Sequence, residues 1–282
     1  MRVAVIQFAP QLGRLEANLE AIRSAVGEAS PARVDLVVAP EMSLTGWTLR
    51  DAASRARLAH DVEESAIPEL SREAVEHHVA IVVGGPVFAE PEPRSGEIGR
   101  RLANAAILLG PDGSRTDYWK IHLFGEERHW WTAGRHAVVG AVGSVRVGLT
   151  ICYDGEFPEV PRMTRLAGAE VLVVPTTNMT PYERDQDILF AARALENECP
   201  VVVANRVGRE NEWTYFGRSL VADQRGEIVA QAGSGEEILL ADIVPAEPGD
   251  PALSYLSQRR PEVYGLLVDP ALTIKAPPLM GG

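Results

Sequence analysis

The chain has 282 residues, 46% of them hydrophobic and 23% charged, which is enough for a large buried core. Its formal net charge of −12 argues against nucleic acid or an anionic membrane as a partner, because both select clustered Lys and Arg. No stretch approaches the roughly 20 apolar residues that span a bilayer. With two cysteines and no signal-peptide pattern, we expect a cytoplasmic protein without disulfides.

Short runs rich in β-branched residues alternate along the chain with longer amphipathic segments. From the N-terminus, the pattern predicts strands at residues 3–8, 34–39, 80–84, 105–109, 116–120, 145–151, 171–175, 201–205, 219–222, 228–230 and 238–243. It predicts helices at residues 15–27, 62–77, 157–168 and 182–198. Residues 86–101, with their Glu, Pro and Gly content, are interpreted as an exposed excursion.

Many of the predicted strands lack polar–apolar alternation, which indicates burial on both faces. About eleven strands are many for one open twisted sheet, whereas two sheets packed together with helices outside accommodate them. We therefore predict a layered α/β sandwich formed by one domain, residues 1–282. The C-terminal extension, residues 245–282, ends in an irregular tail with too little periodicity for a core of its own, so we expect it to pack on its own domain or on a neighbouring subunit.

Cys152 follows the apolar run at residues 145–151, and a polar segment comes directly after it. The pattern places the thiol between the tip of a buried strand and the N-terminus of a helix. Free backbone N–H groups and the helix dipole favour the thiolate at such a position, and the thiolate is the form that attacks carbonyl carbon. The alternative is a buried structural thiol, which is the interpretation that we favour for Cys199.

Two further strand ends carry ionisable residues. Glu41 follows the strand predicted at residues 34–39, and Lys120 ends the strand predicted at residues 116–120. Ligands of open α/β sheets bind outside the carboxyl ends of the strands, so Glu41, Lys120 and Cys152 are candidates for one site. Taken singly, each has a structural alternative: a solvated loop carboxylate, a surface ammonium or a core thiol.

Three segments resemble the signature sequences of the carbon–nitrogen hydrolase (nitrilase) superfamily, in the order that the family shows. They are Pro40-Glu41, Tyr118-Trp-Lys120-Ile-His-Leu123 and Ile151-Cys152-Tyr-Asp-Gly-Glu-Phe-Pro-Glu159. Supporting matches occur at residues 104–107, 193–197, 205–206, 216–219 and 259–264. The resemblance implies a four-layer α-β-β-α sandwich, and the Cys-Tyr-Asp sequence is similar to the amidase branches of the family.

The same resemblance implies roles for four residues. Cys152 would be the nucleophile, Glu41 the general base and Lys120 the group that stabilises the oxyanion. A second glutamate would hold Lys120, and the spacing to Gly134 favours Glu127 over the adjacent Glu126. Such a set agrees with the chemistry, because an ammonium beside a developing alkoxide stabilises it most where water is excluded.

Three residues near this set are candidates for substrate binding: Tyr153, Trp130 and Glu156. The pattern leaves open whether Trp130 and Trp131 line a pocket or fill the core. Acidic residues are frequent in the expected neighbourhood, so we predict a preference for neutral or amino-bearing amides over amides that carry a carboxylate. The acids are Glu126, Glu127, Asp154, Glu156 and Glu159.

The resemblance thus implies hydrolysis of a small carboxamide to a carboxylic acid and ammonia through a cysteine thioester. An N-carbamoyl-amine amidohydrolase is the main alternative, and a nitrilase, an acyltransferase or a non-catalytic relative on the same fold stay open. The six histidines lack metal-ligand spacing, so neither a metal nor another cofactor is expected. The expected partners are a small-molecule amide and further copies of the chain, in a homodimer or a higher homo-oligomer.

Overall fold

The computed structural model describes residues 1–89 and 101–269. It contains a main unit, Met1–Glu247, and a second unit, Pro248–Gly282. Each of the two six-stranded sheets of the main unit has parallel strands at its centre and antiparallel strands at its edges. The strands of the described residues are β1 (Arg2–Gln7), β2 (Leu36–Val38), β3 (Ala80–Ala89), β4 (Arg101–Leu109), β5 (Arg115–Trp119), β6 (Val138–Val142), β7 (Val145–Leu149), β8 (Val171–Pro175), β9 (Val201–Ala204), β10 (Val207–Glu210), β11 (Trp213–Phe216), β12 (Leu220–Ala222), β13 (Ile228–Gln231) and β14 (Glu237–Asp242).

Two six-stranded sheets form the centre of the main unit, in the orders β14-β1-β2-β3-β4-β5 and β13-β12-β9-β8-β7-β6. A separate hairpin pairs β10 with β11. The helices of the described residues are α1 (Leu15–Ala29), α2 (Ala52–Asp61), α3 (Ile67–Glu76), α4 (Tyr153–Glu156), α5 (Glu159–Leu166), α6 (Glu183–Asn197) and α7 (Gly265–Val268).

Three apolar clusters separate the layers of the main unit. The central cluster joins the two sheets and contains residues of both, among them Val5 and Val173. Alternate residues of the same strands point the other way, since Ile6 packs with Ile22 of α1, and Val174 packs with Phe190 of α6. Because both faces of the central strands are covered, β2, β8 and β9 are apolar and buried throughout. The four-layer α-β-β-α sandwich expected from the sequence is confirmed.

The predicted helices differ from the observed ones where polar residues weaken the hydrophobic periodicity. The helix predicted at residues 62–77 begins earlier, because α2 runs through a π-helical segment, Val62–Ala66, into α3. Few residues of α2 are buried, so its periodicity is weak, although Asp51 caps it by accepting from the Ser54 N–H at 2.7 Å. The helix predicted at residues 157–168 corresponds to α5, and the single turn α4 that precedes it was not predicted.

The strands β6, β10 and β11 were not expected from the sequence, and β3 continues to Ala89 instead of leaving the sheet at Pro86. Its last residues stay buried against β4. The rest of the predicted excursion, residues 90–100, lies outside the described residues. Within the described ranges, no helix has both the length and the hydropathy that crossing a bilayer requires.

The second unit contains a 3₁₀ turn, Pro261–Val263, followed by α7. Several of its apolar side chains are exposed, including Leu253 and Val268. The subunit contact expected of residues 245–282 stays a prediction, and residues 270–282 of that segment lie outside the described residues.

Candidate active site

Cys152 lies just beyond the end of β7, at the turn into α4. Its backbone is strained for a residue with a side chain, with φ = 48° and ψ = −114°. Its N–H donates to the Pro175 carbonyl at the end of β8, 2.9 Å away. This turn aims the thiol at Asn178, whose Oδ1 accepts from Sγ at 3.5 Å.

The setting of Cys152 does not favour a thiolate, which corrects the expectation from the sequence. The side chain is buried, and burial raises its pKa far above the usual value. The charge of Glu41 raises that pKa further, whereas Lys120 lowers it only in part. The helix behind the thiol is the single turn α4, so its dipole is small. Nucleophilic attack by Cys152 therefore requires a base.

Lys120 bridges two fully buried carboxylates. Its Nζ lies 2.7 Å from Glu41 Oε1 and 2.8 Å from Glu127 Oε2, and all three side chains are inaccessible to solvent. Burial alone would lower the pKa of Lys120, but the charges of Glu127 and Glu41 outweigh it and hold this pKa well above its usual value. Lys120 is thus a permanent ammonium, and the three groups together carry one formal negative charge.

Glu41 is held at the carboxyl end of β2 by donors from both sheets. Asn104 Nδ2 donates to its Oε1 at 2.7 Å, and Thr177 Oγ1 donates to its Oε2 at 2.7 Å. The turn that carries Glu41 presses on β3 at Gly84, where a Cβ would lie 2.3 Å from the Met42 nitrogen. Only glycine fits at this close approach, so the local sequence fixes where the carboxylate points.

Glu127 lies in the 3₁₀ turn Gly125–His129, and each of its oxygens has two donors. Oε1 accepts from Trp47 Nε1 at 2.9 Å and from Asn104 Nδ2 at 3.0 Å. Oε2 accepts from the Phe124 N–H at 2.8 Å in addition to Lys120. The neighbouring Glu126 is exposed, so of the two glutamates considered from the sequence, Glu127 is the one in contact with Lys120.

Trp47 is placed in the site by a second buried ion pair. Glu210 Oε1 accepts from the N–H groups of Trp47 and Thr48 at 3.0 and 2.7 Å, and its Oε2 accepts from Arg206 at 2.6 Å. Arg206 also donates to the Pro10 carbonyl at 2.9 Å. This network connects β10 to the loop after β2, a contact between residues 163 positions apart. No sequence motif indicates it.

A cavity of about 260 Å³ adjoins the thiol and the ammonium. Its volume lies just below the usual range of ligand pockets, which suits a small molecule. The lining is mixed, with apolar and aromatic side chains beside polar ones. The lining residues are Trp47, Lys120, Phe124, Cys152, Tyr153, Glu156, Thr177, Asn178, Met179, Tyr182 and Asp185.

Two of the three predicted substrate-binding residues, Tyr153 and Glu156, line this cavity, and Trp130 does not. Trp130 packs edge-on against Trp47, with ring centroids 6.3 Å apart, and near the Arg55 guanidinium. Trp47, which contacts Trp130, is the tryptophan that lines the cavity. Trp131 is buried in the core between the first sheet and its helices.

The acids expected near the pocket differ in burial and in whether they line the cavity. Asp154 is buried and binds residues on both sides of Lys120, accepting from the His122 N–H at 2.6 Å and from the Tyr118 hydroxyl at 2.7 Å. Glu126 and Glu159 are exposed outside the cavity lining. Glu156 lines the cavity, and the sequence reasoning missed its acidic companion Asp185 in the first turn of α6.

The chain is similar to known proteins over most of its length. The carbon-nitrogen hydrolase family model matches residues 2–249. A hydrolase of Pseudomonas protegens is 36% identical, over 94% of this chain and 90% of that protein. An (R)-stereoselective amidase of a Pseudomonas species is 32% identical, over 92% of each chain.

Solved structures of an amidase from Nesterenkonia sp. AN1 share the fold. One of them, a mutant with acrylamide joined to the active-site cysteine by Michael addition, is similar with a TM-score of 0.81 and 27% identity. The similarity covers 95% of this chain and all of that one. The chain belongs to the carbon-nitrogen hydrolase family.

Proposed function

We propose that the protein is an amidase that hydrolyses a small primary carboxamide to a carboxylic acid and ammonia, with Cys152 as the nucleophile. The observation that carries the proposal is the convergence of a buried thiol and a buried ammonium on one cavity, with Lys120 bridging Glu41 and Glu127. Membership of a family of C–N hydrolases and the similarity to two amidases support it.

In the first step, Glu41 takes the proton of the Cys152 thiol as the sulfur attacks the amide carbon. A base is needed because the thiol is protonated at neutral pH, its pKa being raised by burial and by Glu41 itself. The electron pair of the C=O bond moves to oxygen, and the Lys120 ammonium stabilises the resulting alkoxide. The N–H of Tyr153, the first residue of α4, is a second donor in this proposal.

In the second step, the tetrahedral intermediate collapses to a thioester and releases ammonia, which leaves with the proton that Glu41 holds. A water molecule then loses a proton to Glu41 and attacks the thioester carbon. The C–S bond breaks, the acid departs, and Cys152 recovers its proton. The sum is one amide and one water converted to one acid and one ammonia.

Lys120 is assigned the electrophilic role because it cannot act as a base. The carboxylates on either side keep its pKa well above the usual value, so its amine is already protonated and has no lone pair to accept a proton. Glu127 fixes Lys120 through a 2.8 Å contact and is itself held by Trp47 and Asn104. Such a rigid ammonium stabilises charge without reorganising during the reaction.

A screen for ammonia release over primary amides, N-carbamoyl amines and nitriles tests the proposal, with Cys152→Ala as the control. We expect turnover of small primary amides by the wild-type protein and none by the variant. Carbon dioxide released together with ammonia would instead identify a carbamoyl substrate. Hydroxamate formed in the presence of hydroxylamine would measure acyl transfer to an amine. Undiminished turnover by Cys152→Ala would overturn the mechanism.

A further inference from the structure

Two carboxylates of the cavity wall have no partner among the residues that the structure describes. Glu156 ends α4 and Asp185 lies in the first turn of α6, and both line the cavity that contains the Cys152 thiol. Within residues 1–89 and 101–269, neither carboxylate forms a hydrogen bond or an ion pair. Glu41 and Glu127 differ sharply, because every one of their oxygens has a donor.

The cations near Glu156 are already engaged elsewhere. Lys120 binds Glu41 and Glu127, and Arg193 donates to the backbone oxygens of Gly155 and Glu156 and to the Glu196 carboxylate. This part of the wall therefore carries negative charge that no residue of the described ranges neutralises at contact distance. A ligand that supplies a cation would neutralise this charge and donate to the two carboxylates.

We infer that Glu156 and Asp185 together bind a cationic amino group of the substrate, so that the preferred substrates are primary amides that also carry an ammonium group. The inference rests on the proposed function, because it takes the cavity as the substrate site. An ammonium offers donors only, which suits two acceptor carboxylates, whereas a substrate carboxylate would be repelled by both.

The ionisation of Glu156 gives this recognition a characteristic pH dependence. The pKa of Glu156 is raised to about 7, mainly by burial and also by the nearby charges of Asp185 and Glu41, while Lys120 and Arg193 act in the opposite direction. Below that pH, Glu156 is neutral and attracts an ammonium weakly. Above about pH 8, an amine of the α-amino type loses its own charge. Preference for an amino amide is therefore greatest between these two values.

Alaninamide and isobutyramide are a matched pair of probes, since they differ only in an ammonium group in place of a methyl group. The quantity to measure is the ratio of their kcat/KM values between pH 6 and pH 9, because any general change in catalysis cancels in that ratio. We expect the wild-type ratio to exceed one and to follow a bell-shaped curve. A flat ratio, or a preference for isobutyramide, would overturn the inference.

Variants sharpen the test. Glu156→Gln should lower the ratio about tenfold through the KM of alaninamide, as for a half-buried charge pair, and Asp185→Asn should lower it less because Asp185 is exposed. Glu159→Gln changes an exposed acid outside the cavity lining and should leave the ratio unchanged.

If Glu156→Gln does not fold, Asp185→Asn and the wild-type pH curve still test the inference. Hydrolysis of neither probe would contradict the proposed function instead, whereas turnover without preference would contradict only this inference.

Discussion

The two cysteines of the chain are alike in burial and different in surroundings. Cys199 is completely buried, with a pKa raised to about 12 mainly by burial, and it packs in the apolar layer between α6 and the second sheet. Cys152 is also buried and also protonated, but it faces a cavity beside an ammonium and near a carboxylate. Burial alone therefore makes a thiol inert. What distinguishes Cys152 is the set of charged groups placed around it.

The strongest test of this comparison replaces each cysteine by alanine. We expect Cys152→Ala to lower kcat for a primary amide by at least about 10⁴-fold, because no other group forms the thioester. Cys199→Ala should retain activity, since this thiol is remote from the cavity lining. Steady-state ammonia release by both variants measures the difference. Comparable losses in the two would mean that the comparison is mistaken.

A smaller effect on kcat should distinguish Glu127 from the adjacent Glu126. Glu127→Gln removes one of the two carboxylates that hold Lys120, and we expect kcat to fall about 10²-fold because the ammonium is then misplaced for the alkoxide. Glu126→Gln is the matched control and should change kcat by less than about twofold, because Glu126 is exposed. Equal effects of the two substitutions would remove Glu127 from the proposed mechanism.

The sequence predicted the candidate site more completely than its walls. Glu41, Lys120 and Cys152 each lie at a predicted strand end, which made them candidates for one site. Patterning alone left a structural alternative for each of them, and the resemblance to the three family signatures was needed to group them and to imply their roles. Trp47 and Thr177 are hydrogen-bonded to site residues that lie 80 and 136 positions away in the sequence. Periodicity is a local property and carries no information about such contacts.

The fold shows the same division between local and distant information. Strands buried on both faces were recognised from their apolar runs, whereas β10 and β11 form a two-stranded hairpin with several exposed residues and were missed. Asp185 was missed in the same way, because an acid in the first turn of a helix is ordinary in sequence. Only the meeting of α4 and α6 places it beside Glu156 in the cavity wall.

The charges around Cys152 can be tested through its pKa. Glu41 raises this pKa, so Glu41→Gln should lower it, while Lys120 continues to favour the thiolate. Titration of the thiolate absorbance in a Cys199→Ala background isolates the one remaining thiol. We expect the thiolate to form at a lower pH in Glu41→Gln than in the parent protein, although the variant has lost its base and its activity. An unchanged or raised pKa would show that Glu41 does not act on this thiol.

The smallest expected effect is on the free energy of unfolding, where substitution of Cys199 should matter more than substitution of Cys152. Cys199→Ala should lower the free energy of unfolding by about 1 kcal/mol, because it removes a sulfur from a closed apolar layer and leaves a small void. Cys152→Ala should cost less, since its side chain borders a cavity that already exists and the substitution only enlarges it. Urea unfolding with an unchanged m-value measures both. If the Cys152 variant were the less stable of the two, the thiol would contribute to the core as well as to the site, and the contrast in surroundings would not extend to stability.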